Sequence, residues 1–243
     1  MKVEYIANYP YLVFELSKER NMGLFFDIVF LLVLVFLVPL YFQYRHKHFK
    51  GTPKIKGPAK YVRTITIAVF LLTLLSFSWI VNHRTFTDLG LGYPDTQGFI
   101  GIAVAIVIIA LLLGMMTVSS KPDSSDEFEK EKILSTLPNT RLEVLVYIIF
   151  SVVIGFAWEV LYRGALIYYF SPYIGLMFSV LLAALIYTIT HGASSWKGYL
   201  NTYLMALMFL ILFVLSGSLW GPIIMHIAAP LIMPLLLRDL KSA

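Results

Sequence analysis

Four polar residues stand out in an otherwise largely apolar part of the chain: Glu159, Arg163, His191 and His226. Glu159 and Arg163 are four residues apart within the stretch GFAWEVLYRGALIYY, so one helix face carries both. A carboxylate can activate water, and a histidine can donate a hydrogen bond to a developing oxyanion. Because ionisable residues inside a membrane are costly and usually paired or functional, the four predict a site where three helices converge.

Each of these residues also has a simpler interpretation. Glu159 and Arg163 could form a buried salt bridge that only neutralises two charges. His191 precedes the turn-like GASSW and could be interfacial, whereas His226 lies in the middle of an apolar segment and needs a partner. Glu159, His191 and His226 also form a candidate zinc ligand set, although their spacing is not that of the His-Glu-x-x-His motif.

The composition indicates a polytopic membrane protein. Of 243 residues, 59% are hydrophobic and 14% are charged, and the mean hydropathy is +0.80; a soluble domain has roughly 25% charged residues. The absence of cysteine excludes disulfides and thiolate chemistry. The net charge of +5 lies mainly in loops, as a topology signal does, and does not predict nucleic-acid binding. We therefore expect an all-α transmembrane helix bundle.

Seven apolar segments are candidates for membrane spans, which need about 20 residues each. They are residues 24–44, 62–82, 99–118, 143–170, 173–190, 199–216 and 219–237. Short connections join the last four, so these should pack as consecutive antiparallel neighbours. The first 23 residues mix acids and a proline, which predicts an interfacial segment and not a cleaved signal peptide. No internal repeat is evident, which disfavours a transporter.

The polar segments predict the organisation and orientation of the chain. Residues 1–118 would form an interfacial segment and three spans, 119–141 a cytoplasmic linker, 142–237 a four-helix core, and 238–243 a cytoplasmic tail. The loop 45–63 has seven Lys/Arg and no acid, so it should be cytoplasmic and attract anionic membrane lipids. The N-terminus would lie outside and the C-terminus inside. In a bacterium this would be the inner or plasma membrane.

The last four segments resemble the CPBP family, which includes CAAX prenyl proteases of the Ras-converting-enzyme type and bacteriocin-processing or self-immunity (Abi) proteins. The family pattern is Glu-Glu-x-x-x-Arg followed by Gly, then Phe-x-x-x-His, then His-x-x-x-Asn, each on a separate transmembrane helix. The corresponding stretches here are WEVLYRG (Trp158 to Gly164), YTITH (Tyr187 to His191) and HIAAP (His226 to Pro230). The resemblance covers about residues 137–237.

The resemblance implies an intramembrane endopeptidase, of metallo- or glutamate type, that cleaves a membrane-associated protein or peptide with activated water. In the family, the first Glu and first His would activate the water, and the last His and the Asn would stabilise the oxyanion. The first and last of these histidines correspond to His191 and His226, while Arg163, Gly164 and Tyr187 occupy motif positions. A bound metal, zinc above all, stays open.

Two positions depart from the family pattern. Trp158 stands where the first Glu is expected and Pro230 where the Asn is expected, while Tyr187 replaces Phe more mildly. Loss of a general base costs about 10²–10⁴-fold in rate, and loss of an oxyanion donor about 10²–10³-fold. The alternative to a protease is therefore a catalytically impaired relative, a pseudoenzyme, that acts as a peptide-binding, immunity or scaffold protein.

Other residues could compensate for these two losses. Glu159 could serve as the base itself if the helix is rotated or kinked, because adjacent helical positions point about 100° apart. Gly155 would allow such a change. Asn201 or the pair Ser194 and Ser195 could supply the missing donor.

Overall fold

A computed structural model describes residues 10–48, 57–118, 137–193 and 195–236, and in these parts every regular element is helical. The α-helices are α1 (Pro10–Leu32), α2 (Val38–His48), α3 (Ala59–Val81), α4 (Thr96–Val118), α5 (Arg141–Glu159), α6 (Leu166–His191), α7 (Trp196–Ser216) and α8 (Trp220–Leu236). π-Helical segments lie at Val33–Leu37 and Val160–Ala165, and a 3₁₀ turn at Phe86–Leu89. The all-α prediction is confirmed.

The helical run Arg141–His191 contains a reversal of the chain. Gly175 has φ 75° and ψ 160°, a conformation that glycine adopts far more readily than other residues. The Tyr162 hydroxyl donates to Thr190 Oγ1 at 3.1 Å. Those residues are 28 positions apart, which would be about 42 Å along a straight helix. The run therefore forms two antiparallel legs that meet near Gly175, consistent with the predicted boundary between residues 170 and 173.

The apolar helices make this an integral membrane protein. Within the described ranges, four helical runs are long and apolar enough to cross a membrane: Asn21–Arg45, Ala59–Val81, Arg141–His191 and Trp196–Ser216. Shorter apolar helices cover Thr96–Leu111 and Trp220–Ile232. The count of seven spans, their orientation and the domain boundaries stay predictions. Linker residues 119–136 and the tail 238–243 lie outside the described residues.

Helix α8 occupies a central position, packed against α4 on one side and α5 on the other. The contact with α5 is close at Gly155, where a Cβ atom would lie 2.5 Å from Ile227 Cγ1. Gly155 keeps helical geometry, so it allows the two backbones to approach and does not act as the kink considered above. Helix α5 itself begins because the Thr140 side chain accepts from Glu143 N. The close packing brings Glu159 opposite His226.

A second ionic region, the Asp27 cluster, consists of Asp27, Ser78, Asn82, Arg84 and Tyr169. Asp27 is 8% exposed and accepts hydrogen bonds from all four partners. Burial opposes the charged form of Arg84, yet its hydrogen bonds to Asp27 and the negative charge of that residue raise the pKa of Arg84 above its usual value. The cluster therefore ties α1, α3 and α6 together as a charged network.

Candidate active site

Glu159, Arg163 and His226 meet in the interior of the bundle. Glu159 is fully buried, with Oε1 2.6 Å from His226 Nδ1 and Oε2 3.3 Å from Arg163 Nε. The side chain of Arg163 is 2% exposed, whereas that of His226 is 16% exposed. The carboxylate therefore links two helical elements of the motif, and the histidine is the member of this group that reaches the surface.

A π-helical segment begins immediately after Glu159. It spans Val160–Ala165, and all six of its residues are buried. A π turn contains more residues than an α turn. Residues before and after a π turn therefore share a helix face that they would not share in a continuous α-helix. Glu159 is fully buried, and it follows Trp158, the position that the family pattern assigns to the first Glu. A rotation or kink was the condition for Glu159 to act as the base, and the distortion in this helix lies after Glu159 and not at Gly155.

Tyr187 lies between the two motif histidines. The Arg163 guanidinium is 4.2 Å from the centre of the Tyr187 ring, which favours a buried cation. The Tyr187 ring is 5.8 Å from that of His191 and 6.4 Å from that of His226. His191 is exposed at the end of α6. Glu159, Arg163, His226 and Tyr187 therefore assemble in the interior, with His191 at its edge.

Phe209 on α7 completes the aromatic surroundings, and sequence reasoning missed it. Its ring lies 5.8 Å from that of His226, and the Arg163 guanidinium lies 5.4 Å from its centre. In an apolar helix, the sequence does not show whether a phenylalanine faces a functional site or lipid. Only the packing of α7 beside the motif helices identifies it.

The candidate metal ligands do not form a metal site. Across the described ranges, no three His, Cys, Asp or Glu side chains lie close enough together to hold a metal ion. Glu159, His191 and His226 all belong to those ranges. Since two histidines and a carboxylate would have to converge to bind zinc, these residues do not fit it, and the chemistry below uses no metal.

Trp158 packs against aromatic residues of α2 and of the π-helical segment. It is 8% exposed, and its ring packs edge-on against Tyr162 at 5.6 Å and against Phe42 of α2 at 6.5 Å. Trp158 therefore forms part of the wall between α5 and α2. The space between the two histidines is occupied by Tyr187.

Within the described ranges, the side chains considered as replacements for the oxyanion donor are not part of this cluster. Pro230 contributes only its backbone carbonyl, which accepts a hydrogen bond from the Tyr147 hydroxyl at 2.8 Å. Ser195 Oγ accepts from Gly198 N and so caps α7, and Asn201 is exposed on that helix. Ser194 lies outside the described residues.

Gly164 of the motif provides a second close approach. A Cβ atom there would lie 2.9 Å from the Leu89 carbonyl oxygen and 3.2 Å from Leu219 Cδ1. The motif glycine therefore lets the 3₁₀ turn and the start of α8 pack directly on the π-helical segment. This packing helps hold α8, and with it His226, at its distance from Glu159.

Residues 140–232 match the sequence profile of the Rce1-like family, described as Type II CAAX prenyl endopeptidase Rce1-like. The match begins at the residue that caps α5 and ends within α8, so it includes the whole cluster just described. No curated protein and no solved structure shows significant similarity to the chain.

Proposed function

We propose that this membrane protein is an intramembrane endopeptidase, because residues 140–232 match the profile of the Rce1-like family. It would hydrolyse a peptide bond in a membrane-associated protein or peptide. The observation that carries the proposal is the contact of 2.6 Å between Glu159 and His226, which joins two motifs of the family. A carboxylate–histidine pair of this kind is the arrangement that activates water or a nucleophile in many hydrolases.

The exposure of each group suggests how the proton would move. Glu159 is fully buried and both of its oxygens face partners, so it has no direct path to water. His226 is partly exposed and turns Nδ1 toward Glu159, which leaves Nε2 to take a proton from water. Glu159 would then orient the imidazole and stabilise its charged form. In this proposal His226 is the general base and Glu159 the positioning residue, whereas the sequence resemblance gave the last histidine to the oxyanion and left Glu159 as a possible base.

Cleavage of membrane-anchored peptides by the purified protein in liposomes tests this proposal. His226→Gln should lower kcat/KM by about 10²–10⁴-fold, the usual loss for a general base. Glu159→Gln should lower it as well. Glu143→Gln is the matched control, because Glu143 is also a buried carboxylate on α5 and pairs with Lys60 at 3.3 Å. It lies about 24 Å along the helix from Glu159. Cleavage by His226→Gln at the rate of the unaltered protein would overturn the proposal.

A second candidate function is favoured by Trp158 and Pro230. These residues remove a carboxylate and a donor that the family pattern expects, which fits a peptide-binding or scaffold protein without catalysis. This candidate predicts that the unaltered protein crosslinks to membrane-anchored peptides but cleaves none of them. Since Trp158 faces α2, Trp158→Glu should not create activity. A gain of hydrolysis in that variant would show that position 158 reaches the substrate.

A further inference from the structure

A cavity of about 510 Å³ lies beside the Asp27 cluster, away from the pair formed by Glu159 and His226. The side chains of Arg84, Asp88, Tyr168, Ser171, Tyr173 and Phe213 are among those that line it. Its wall therefore combines charges, aromatic rings and a hydroxyl. That composition differs from the apolar surface that faces lipid and raises the question of what it binds.

The arginine of this cavity is already neutralised. Arg84 Nη1 donates to Asp27 Oδ1 at 2.8 Å, and Arg84 Nη2 to Asp27 Oδ2 at 2.5 Å. The guanidinium also lies 5.2 Å from the centre of the Tyr168 ring. Because its charge is matched by a buried carboxylate, Arg84 does not make the cavity a site for anions.

Asp88 supplies the charge that remains. It is exposed, and its Oδ2 accepts from Thr85 N at 2.9 Å and from Thr85 Oγ1 at 3.0 Å. Among the residues that the structure describes, no cation forms an ion pair with Asp88. With Asp27 and Arg84 cancelling, the cavity therefore has a net charge of about one negative unit and favours a cationic group.

The other walls suit a cation that donates hydrogen bonds. Ser171 Oγ is buried and has no hydrogen-bond partner within the described residues, which is costly unless a ligand or water supplies one. Tyr173 and Phe213 also line the cavity, and aromatic rings attract cations at their faces. A primary ammonium group has three N–H donors and one positive charge, so it matches an uncompensated carboxylate, an unpaired hydroxyl and aromatic walls together.

We propose that this cavity binds a primary ammonium group, carried either by a phosphatidylethanolamine headgroup or by a free amine. Aromatic side chains mark this end of the bundle: Tyr93 is 90% exposed, and Trp220 Nε1 donates to the Gly92 carbonyl. Tyrosine and tryptophan are enriched where a membrane meets water, so lipid headgroups are within reach of the cavity. The site is independent of the proposed protease function.

Thermal unfolding of the protein in nanodiscs tests the site. Replacing part of the phosphatidylcholine by phosphatidylethanolamine should raise Tm by about 2–4 °C, since a ligand that binds only the folded state stabilises it. Phosphatidylcholine is the reference because its ammonium has no N–H. Ethanolamine added to pure phosphatidylcholine nanodiscs separates the two sources: the same rise would indicate a free amine, and no rise would indicate the lipid headgroup.

Two variants make the test specific. Asp88→Asn removes the charge, while its amide oxygen can still accept from Thr85, and it should abolish the rise. Asp95→Asn is the matched control, because Asp95 also caps a helix, through Gly98 N at 2.9 Å, but is not among the residues that line the cavity; it should keep the full rise. Equal Tm values under all conditions, or a rise that persists in Asp88→Asn, would overturn the proposal.

Discussion

Two buried carboxylates, Asp27 and Glu159, each face an arginine, but their surroundings differ. Asp27 accepts hydrogen bonds from Ser78, Asn82, Arg84 and Tyr169. By contrast, Glu159 Oε2 and Arg163 Nη1 are buried without a hydrogen bond inside the described part of the chain. A fully bonded network serves stability, whereas unsatisfied buried groups are a common mark of functional sites. The two regions therefore contrast an ion pair with a complete set of hydrogen bonds and one that keeps unsatisfied groups, as the proposed active site would.

The largest expected effect comes from removing the cation of each pair. Arg84→Met should lower the free energy of unfolding by about 3–5 kcal/mol, because it leaves Asp27 buried without its counter-charge. Cleavage per folded molecule should stay unchanged. Arg163→Met should cost a similar amount of stability and also lower cleavage, since Arg163 holds Glu159. Denaturant unfolding and peptide cleavage measure the two effects. A loss of cleavage in folded Arg84→Met would show that the regions are coupled.

An intermediate effect is expected at the close contact between α5 and α8. Gly155→Ala adds a Cβ atom only 2.5 Å from Ile227 Cγ1. The clash should lower the free energy of unfolding by about 1–3 kcal/mol and displace His226 from Glu159. Gly101→Ala is the control, because its Cβ atom would lie equally close, 2.5 Å, to Ser216 at the contact of α4 with the end of α7. Both should lower Tm, but only Gly155→Ala should lower cleavage per folded molecule. Equal cleavage in the two variants would contradict this placement of the site.

The smallest effect is expected from trimming the ring that separates the histidines. Tyr187→Phe keeps an aromatic face under Arg163 at the position where the family pattern has phenylalanine, so stability should change by less than about 1 kcal/mol. Tyr187→Leu removes that face and should cost about 1–2 kcal/mol more. Thermal unfolding of both variants measures the difference. If the two variants unfold at the same temperature, the contact between Arg163 and the ring contributes no stability.

Several site residues could be predicted from the sequence, and others could not. Glu159, Arg163 and His226 were expected to converge because charged residues in an apolar helix need partners, and the structure brings them together. The direction of Trp158 was open, because it depends on where α2 packs. Phe209 was missed, since apolar residues in a membrane protein look alike whether they face lipid or a site.

The sequence by itself determined the helical class, the apolar segments and the polar residues that must find partners, because these follow from composition and from short-range periodicity. Only the tertiary structure decided which partners they find. Asp27 meets Arg84, and Glu159 meets His226, through contacts between residues 57 and 67 positions apart. The π-helical segment and the close glycine contacts set the relative positions of those helices to within a fraction of a helical turn. Displacements this small do not change the periodicity of apolar residues in the sequence.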